Sequence, residues 1–182
     1  MVEIAVEKLR SFCVAVSIAG NREDLGGFAP VVQETRMDAG PAAGIEAGLI
    51  ASEQPWAMFV PVDVPLVPTE LLRLWCEEAL RVNMTVSYLG ISRRQAAFCL
   101  MRRERSASLK RMLDEGERKL EVLLNQAADA DNVASWIYDA HDLYGFPEYR
   151  GPDEQTLERW FMNVNTPEEL ASAERWLLEE RP

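Results

Sequence analysis

The sequence predicts a single α/β domain in which helices cover both faces of a mostly parallel β-sheet, giving three layers. Short apolar runs of strand length alternate along the chain with stretches whose apolar residues recur at helical spacing. Strands separated by helices favour parallel pairing, because a parallel connection needs a crossover segment. The 182 residues are 48% hydrophobic and contain no internal repeat, so residues 1–182 are expected to share one core.

The predicted elements follow from apolar spacing and from the turn residues at their ends. Helices are expected at residues 2–12, 42–52, 69–81, 105–114 and 117–127, with a closing helix that begins at Thr166-Pro167. Strands are expected at residues 13–18, 31–32, 58–62, 84–88, 97–101 and 133–138, and residues 139–159 are expected to be irregular. Thr69 is the expected N-cap of its helix, and Gly90 marks a turn between two strands.

Charge and composition exclude several classes of function. Thirty acidic against 19 basic residues give a formal net charge of -11, which argues against nonspecific binding to nucleic acid or to an anionic membrane. No apolar run approaches the roughly 18 residues of a membrane span. Cys13, Cys76 and Cys99 stand in apolar contexts without metal-binding spacing, which favours reduced thiols in a cytoplasmic protein. His141, the only histidine, is expected in a solvent-facing loop.

The segment Met58-Phe-Val-Pro-Val-Asp-Val-Pro-Leu-Val-Pro68 places one carboxylate, Asp63, after a short apolar run. Proline cannot donate to a strand ladder, so the strand is expected to end here with Asp63 at its carboxyl end. Ligands bind at that edge of open α/β sheets. A lone carboxylate there suits a divalent cation that also holds phosphate oxygens. The alternative is an aspartate that only starts a turn.

Three further segments have both a structural and a functional interpretation. Gly40-Pro-Ala-Ala-Gly44 is either a tight connection or a helix start where free amides attract an anion. Asn163 and Asn165 flank one residue, so in extended chain both amides point the same way, to cap the next helix or to bind a heterocycle. Gly116-Glu-Arg-Lys119 is either a solvated helix break or a phosphate contact.

Taken in this order, these segments resemble the molybdenum cofactor guanylyltransferases, within the Rossmann-like nucleotidyltransferases. The most specific match is Phe161-Met-Asn-Val-Asn-Thr-Pro-Glu-Glu169, because those enzymes carry a similar Asn-x-Asn-Thr-Pro-Glu segment before their final helix. The resemblance implies transfer of GMP from GTP to molybdopterin bearing molybdenum, with release of pyrophosphate. It also implies that Asp63 binds magnesium as the catalytic metal ligand, and that molybdoenzymes or other cofactor-biosynthesis proteins are partners.

The resemblance also assigns residues to the two halves of the substrate pair. Those that match the family's nucleotide side are Asn21, Glu34, Gly40, Pro41 and Gly44, and those that match the pterin side are Gln95, Arg118, Asn163 and Asn165. The first Asn of the family's Asn-x-Asn-Arg turn is replaced here by Ala19, and Ala96 stands where the family has a proline after the position of Gln95.

One part of the family pattern is absent. The family begins with a strand that leads into a Leu-Ala-Gly-Gly-x-Ser-x-Arg-Met-Gly loop, whereas Met1-Val-Glu-Ile has the character of mid-helix sequence. We therefore expect the sheet to lack its first strand, leaving either a gap or a direct pairing between the strands at 13–18 and 58–62, and guanylyltransferase activity to need that segment. Two explanations stay open, an N-terminally incomplete enzyme and a non-catalytic molybdopterin-binding protein. A cytidylyl or sugar-phosphate nucleotidyltransferase is a third alternative.

Overall fold

The computed structural model describes residues 1–91, 93–129, 136–139 and 153–179. Its helices are α1 (Val2–Arg10), α2 (Pro41–Ala51), α3 (Thr69–Arg81), α4 (Ser106–Asp114), α5 (Leu120–Asp129), α6 (Glu154–Trp160) and α7 (Pro167–Glu179). Its strands are β1 (Ile18–Ala19), β2 (Val31–Val32), β3 (Trp56–Phe59), β4 (Val86–Ile91), β5 (Arg93–Arg102) and β6 (Trp136–Asp139). Within these ranges, no helix combines the length and the apolar character that crossing a membrane requires.

The strands form two sheets. β1 and β2 pair in parallel with Ile18 opposite Val31, and the larger sheet has the order β3-β5-β4-β6. In the larger sheet β6 is parallel to β4, while β5 is antiparallel to both of its neighbours. Strands β3, β4 and β6 therefore run in one direction, and β5 reverses it because β4 and β5 are consecutive strands with no helix between them.

Helices cover both faces of the larger sheet, which confirms the predicted three layers. On one face α2, α4 and α5 pack over Val86 and Tyr88 of β4 and over alternate residues of β5. On the other face α3 and α6 pack over Leu89, Phe98 and Leu100. This alternation follows from the two-residue period of a strand, which turns successive side chains to opposite faces.

The predicted gap between the strand that ends at Ile18 and the strand near Met58 is confirmed. β1 and β3 belong to different sheets, so one edge of each has no partner strand among the described residues. The prediction of a strand over residues 13–18 was wrong for most of that length, since only Ile18 lies in β1 and the Val14 side chain is 87% exposed. An apolar run becomes a strand only where a neighbouring chain accepts its backbone hydrogen bonds.

Three local predictions also need correction. Thr69 is the first helical residue of α3 and makes no capping bond, because the N-cap position is occupied by Pro68. Gly90 lies inside β4, where the register with β5 shifts, and does not form the turn. Residues 153–159 are not irregular: Asp153 caps α6 by accepting the Thr156 N–H at 2.8 Å. Of the predicted strand at 133–138, residues 133–135 lie outside the described ranges, as does His141.

Helix α2 holds the two sheets together through two glycines one turn apart. A Cβ atom at Gly48 would lie 2.6 Å from Cε1 of Phe59, the last residue of β3. A Cβ atom at Gly44 would lie 3.4 Å from Cβ of Ala19 in β1. Because glycine lacks a side chain, the helix backbone approaches both sheets closely, and α2 bridges the gap between them.

We predict that Gly48→Ala destabilises the protein even though alanine is the better helix former. Overpacking against the Phe59 ring costs about 1–3 kcal/mol, whereas the gain in helix propensity is at most about 1 kcal/mol. The free energy of unfolding, measured by urea denaturation, should fall. The control is Gly26→Ala, where an added Cβ meets no atom within 4 Å. A Gly48→Ala protein as stable as the wild type would contradict this account of the packing.

Candidate functional site

The candidate site lies at the edge of the larger sheet where β3 and β4 end. Gly48 of α2 contacts the last residue of β3, and Gly44, one turn nearer the start of α2, contacts the Glu34 side chain that follows β2. The start of α2 therefore lies about two turns before the position at which the helix meets the end of β3. In open α/β folds this edge is the usual place for a ligand.

Asp63 does not directly follow its strand. β3 ends at Phe59, and a loop that contains Pro61 separates it from Asp63. The Asp63 side chain is half-buried, and it forms no hydrogen bond or ion pair with any other residue in the described part of the chain. Its carboxylate oxygens are therefore available to a ligand from outside the protein.

Lys8 of α1 holds the loop that follows Asp63. Its Nζ atom donates hydrogen bonds to the carbonyl oxygens of Pro65 at 2.5 Å and Val67 at 2.7 Å. A small apolar cavity separates α1 from this loop, and it is lined by Ala5, Lys8, Val60, Pro61, Val64, Pro65, Val67 and Leu72. Neither Asp63 nor the 40–44 segment lines this cavity, so a shared cleft for the two stays a prediction.

The asparagine pair lies next to the Asp63 loop. The N–H of Val164 donates to the Asp63 carbonyl oxygen at 2.7 Å, although the two residues are far apart in the chain. The Val164 side chain is 2% exposed and packs with Leu66, whereas Asn163 and Asn165 are exposed. The buried valine thus anchors the segment and turns both amides outward, as the predicted spacing requires.

The capping alternative for the two asparagines is wrong, because other groups cap α7. Thr166 Oγ1 accepts the Glu169 N–H at 3.2 Å, and Glu169 Oε2 accepts the N–H groups of Asn165 at 2.8 Å and Thr166 at 2.9 Å. This reciprocal arrangement is a capping box. The two backbone donors, Asn165 first and then Thr166, lower the pKa of the Glu169 carboxyl below its usual value of 4.5.

Three of the residues matched to the nucleotide side come together. Asn21 Oδ1 accepts the Glu34 N–H at 3.0 Å, which ties the turn after β1 to the chain after β2. The Glu34 carboxylate lies over Gly44, where a Cβ atom would be 3.0 Å from Oε1. Gly40 precedes α2 with φ of 54°, a conformation that favours glycine, and Pro41 occupies the first turn. Both Gly40 and Pro41 are exposed.

Arg118 and Gln95 occupy different places at this edge. Arg118 Nη1 donates to the carbonyl oxygens of Leu113 and Glu117, both at 2.8 Å, and so closes the end of α4. Gln95 is half-buried near the start of β5. Convergence of these two residues with the asparagine pair stays a prediction.

A buried ion pair that was not predicted from the sequence lies beside the site. Arg36 donates from Nε to Glu46 Oε2 at 2.5 Å and from Nη2 to Glu46 Oε1 at 2.9 Å, and Glu46 is 3% exposed. Arg36 Nη2 also donates to Asp114 Oδ1 at 2.5 Å. The hydrogen bonds that Arg36 donates to Glu46 and then to Asp114 raise the Arg36 pKa. The hydrogen bonds that Asp114 accepts from Lys110 and then from Arg36 lower the Asp114 pKa. The available signal was a glutamate in a helix of small and apolar residues, since a buried carboxylate needs a partner.

The layered sheet, with a lone carboxylate and a helix N-terminus at one edge, defines the Rossmann-like nucleotidyltransferase class. A solved structure with the same fold is molybdopterin-guanine dinucleotide biosynthesis protein A from Archaeoglobus fulgidus, with a TM-score of 0.72 and 20% identity over 98% of this chain and 85% of that one. Residues 1–131 match the model of the MobA-like NTP transferase domain. The chain belongs to that family of nucleotidyltransferases.

Curated relatives are similar over most of the chain. The molybdenum cofactor guanylyltransferase of Vibrio atlanticus is 28% identical over 174 residues, which cover 93% of this chain and 79% of the relative. The enzyme of the same name from Polynucleobacter asymbioticus is 28% identical over 179 residues, with the same two coverages of 93% and 79%. The family expected from the residues is thereby confirmed.

We predict that Lys8→Met destabilises the Asp63 loop. Methionine keeps the apolar stem but loses the ammonium, and a hydrogen bond from a charged donor contributes roughly 1.5–3 kcal/mol. Urea denaturation should show a loss of about that size, and hydrogen exchange should quicken over residues 61–67. Lys119→Met, which alters an exposed lysine, should leave both measurements unchanged. If Lys8→Met matches the wild type in both, the two bonds do not hold the loop.

We also predict a pH-dependent contribution from Glu169. Its folded-state pKa is lowered, so its stabilisation is complete above the unfolded pKa near 4.5 and is lost as the pH falls through the folded value. The difference in melting temperature between wild type and Glu169→Gln should be constant at neutral pH and shrink below about pH 4.5. Glu168→Gln controls for removal of one charge from the same turn. A difference that persists unchanged at pH 3 would refute the assignment.

Proposed function

We propose that this protein transfers GMP from GTP to molybdopterin bearing molybdenum, in the biosynthesis of molybdopterin guanine dinucleotide. The structural observation that supports the proposal most is the bond between the Val164 N–H and the Asp63 carbonyl oxygen at 2.7 Å. This bond joins the loop of Asp63, a half-buried carboxylate without a side-chain partner among the described residues, to the segment of the exposed Asn163 and Asn165. The names of the curated relatives and membership of the nucleotidyltransferase family support the same reaction.

In this reaction a terminal phosphate oxygen of molybdopterin attacks the α-phosphorus of GTP. A new oxygen–phosphorus bond forms, the bond from the α-phosphorus to the bridging oxygen breaks, and pyrophosphate leaves with that electron pair. We assign Asn21, Glu34, Gly40, Pro41 and Gly44 to the nucleotide side. We assign Gln95, Arg118, Asn163 and Asn165 to the pterin side.

The chemistry of the donor set fits a magnesium ion. Mg²⁺ usually keeps several waters and binds through one or two carboxylates together with substrate phosphates. Asp63 offers one carboxylate that has no partner within the described ranges. We propose Asp63 as that ligand. Magnesium bound there would neutralise charge that builds on the phosphates. In an acidic chain of net charge -11, such neutralisation is needed for a triphosphate to bind.

The chain's own residues act by binding and by orientation. The start of α2 attracts a phosphate oxygen through the positive end of the helix dipole. The outward amides of Asn163 and Asn165 offer both donors and acceptors to a pterin ring. We place the protein in the cytoplasm and propose molybdoenzymes or other cofactor-biosynthesis proteins as recipients of the product.

We predict that Asp63→Ala, in a protein that also carries the family's glycine-rich loop, abolishes magnesium-dependent binding of GTP without unfolding that protein. The carboxylate has no hydrogen-bond or ion-pair partner among the described residues, so circular dichroism and the melting temperature should be unchanged. Calorimetric titration with GTP, with and without Mg²⁺, measures the effect. Glu53→Ala, an exposed carboxylate in the turn before β3, should bind GTP as the wild type does.

Two results would count against the proposal. Unfolding of Asp63→Ala would assign the carboxylate to structure alone. A wild-type protein that binds CTP more tightly than GTP would instead indicate a cytidylyltransferase, since titrations with the two nucleotides differ only in the base.

A further inference from the structure

The loop between β2 and α2, residues 33–40, is fastened to the rest of the protein at Arg36. The guanidinium makes two parallel hydrogen bonds to the carboxylate of Glu46, at 2.5 and 2.9 Å. The planar fork of arginine matches both carboxylate oxygens at once, which a lysine ammonium does not. Because Glu46 is 3% exposed, this pair is shielded from solvent and fixes the loop on α2.

The same guanidinium reaches a third element. Arg36 Nη2 also donates to Asp114 Oδ1 at 2.5 Å and to the Lys110 carbonyl oxygen at 3.3 Å, both in α4. α4 is followed at once by the 116–119 loop, and Arg118 of that loop bonds back to the Leu113 carbonyl oxygen. One side chain therefore joins the segment matched to the nucleotide side with the segment matched to the pterin side.

We propose that Arg36 is a positioning residue that fixes Glu34 and Gly40 relative to α2 and to the 116–119 loop. The proposal rests on the proposed function. Arg36 acts through other groups: the chain on one side of it carries Glu34, whose carboxylate lies over Gly44, and the chain on the other side leads to Gly40 and the start of α2. Loss of its bonds lets the loop move without removing any group that touches the nucleotide.

The first test measures GTP affinity in the presence of Mg²⁺ by calorimetry, at a temperature where circular dichroism shows every variant folded. Arg36→Gln should weaken binding by about tenfold or more, since small displacements of positioning groups have effects of that order. Arg36→Lys should recover little of the lost GTP affinity, because lysine keeps the charge but lacks the planar guanidinium that bonds both oxygens of Glu46. Asp114→Asn should have a smaller effect, because the bonds to Glu46 remain.

The matched control is Arg73→Gln. Arg73 also bonds two carboxylates, Glu70 at 2.5 Å and Glu77 at 2.6 Å, but all three residues lie within α3. This variant loses the same chemical group and a similar number of ion pairs, and it should bind GTP as the wild type does. If Arg36→Gln does not fold because Glu46 is left unpaired, Arg36→Gln/Glu46→Gln replaces the pair by two neutral amides.

The second test needs no ligand. Hydrogen exchange should quicken in the Arg36 variants at the Glu34 N–H, which bonds Asn21, and at the Ala43 N–H, which bonds the Gly40 carbonyl, and it should not change in Arg73→Gln. A folded Arg36 variant with wild-type exchange at both amides, or with wild-type GTP affinity, would overturn the proposal. If the wild type itself fails to bind GTP, the proposed function fails, and exchange alone decides the role of Arg36.

Discussion

The close approach of α2 to two sheets that are not paired with each other among the described residues is the constraint on which this structure depends. Gly48 admits the ring of Phe59, and Gly44 admits Ala19 and the Glu34 carboxylate. A larger residue at either position would push the helix away from one sheet. The buried face of α2 is consequently small and apolar apart from Glu46. The start of the helix, the Glu34 loop and the end of β3 are thereby held in a fixed relation.

Two chain segments far apart in sequence hold the Asp63 loop by hydrogen bonds to its backbone. Lys8 holds the carbonyl groups that follow Asp63, and the Val164 N–H holds the Asp63 carbonyl itself. The Asp63 loop is thus held from both sides by hydrogen bonds to its main chain, and these bonds do not involve the Asp63 side chain. This arrangement fixes the backbone of Asp63, while its carboxylate oxygens have no partner in the part of the chain that the structure describes.

Secondary-structure elements whose sequence signals lie close together in the chain were predicted from the sequence. The small-residue helix α2 and the capped closing helix α7 carry their signals within one or two turns, so their bounds agree closely with the structure. Residues 13–17 failed as a strand because pairing depends on a partner that local pattern does not reveal. The Arg36–Glu46 pair was missed for the same reason, since its loop and helix meet only in the fold. The outward position of Asn163 and Asn165 was predicted because the spacing that causes it lies within one short segment.

The hydrogen bond between Val164 and Asp63 also determines when the Asp63 loop can fold. It joins positions separated by more than half of the chain, and contacts of such separation form late because a large loop must close first. During synthesis α2, β3 and Asp63 are made about 100 residues before Val164. The Asp63 loop therefore reaches its final shape only after Val164 has been added to the chain. A chain interrupted before Val164 would carry α2 and β3 but an Asp63 loop without this bond.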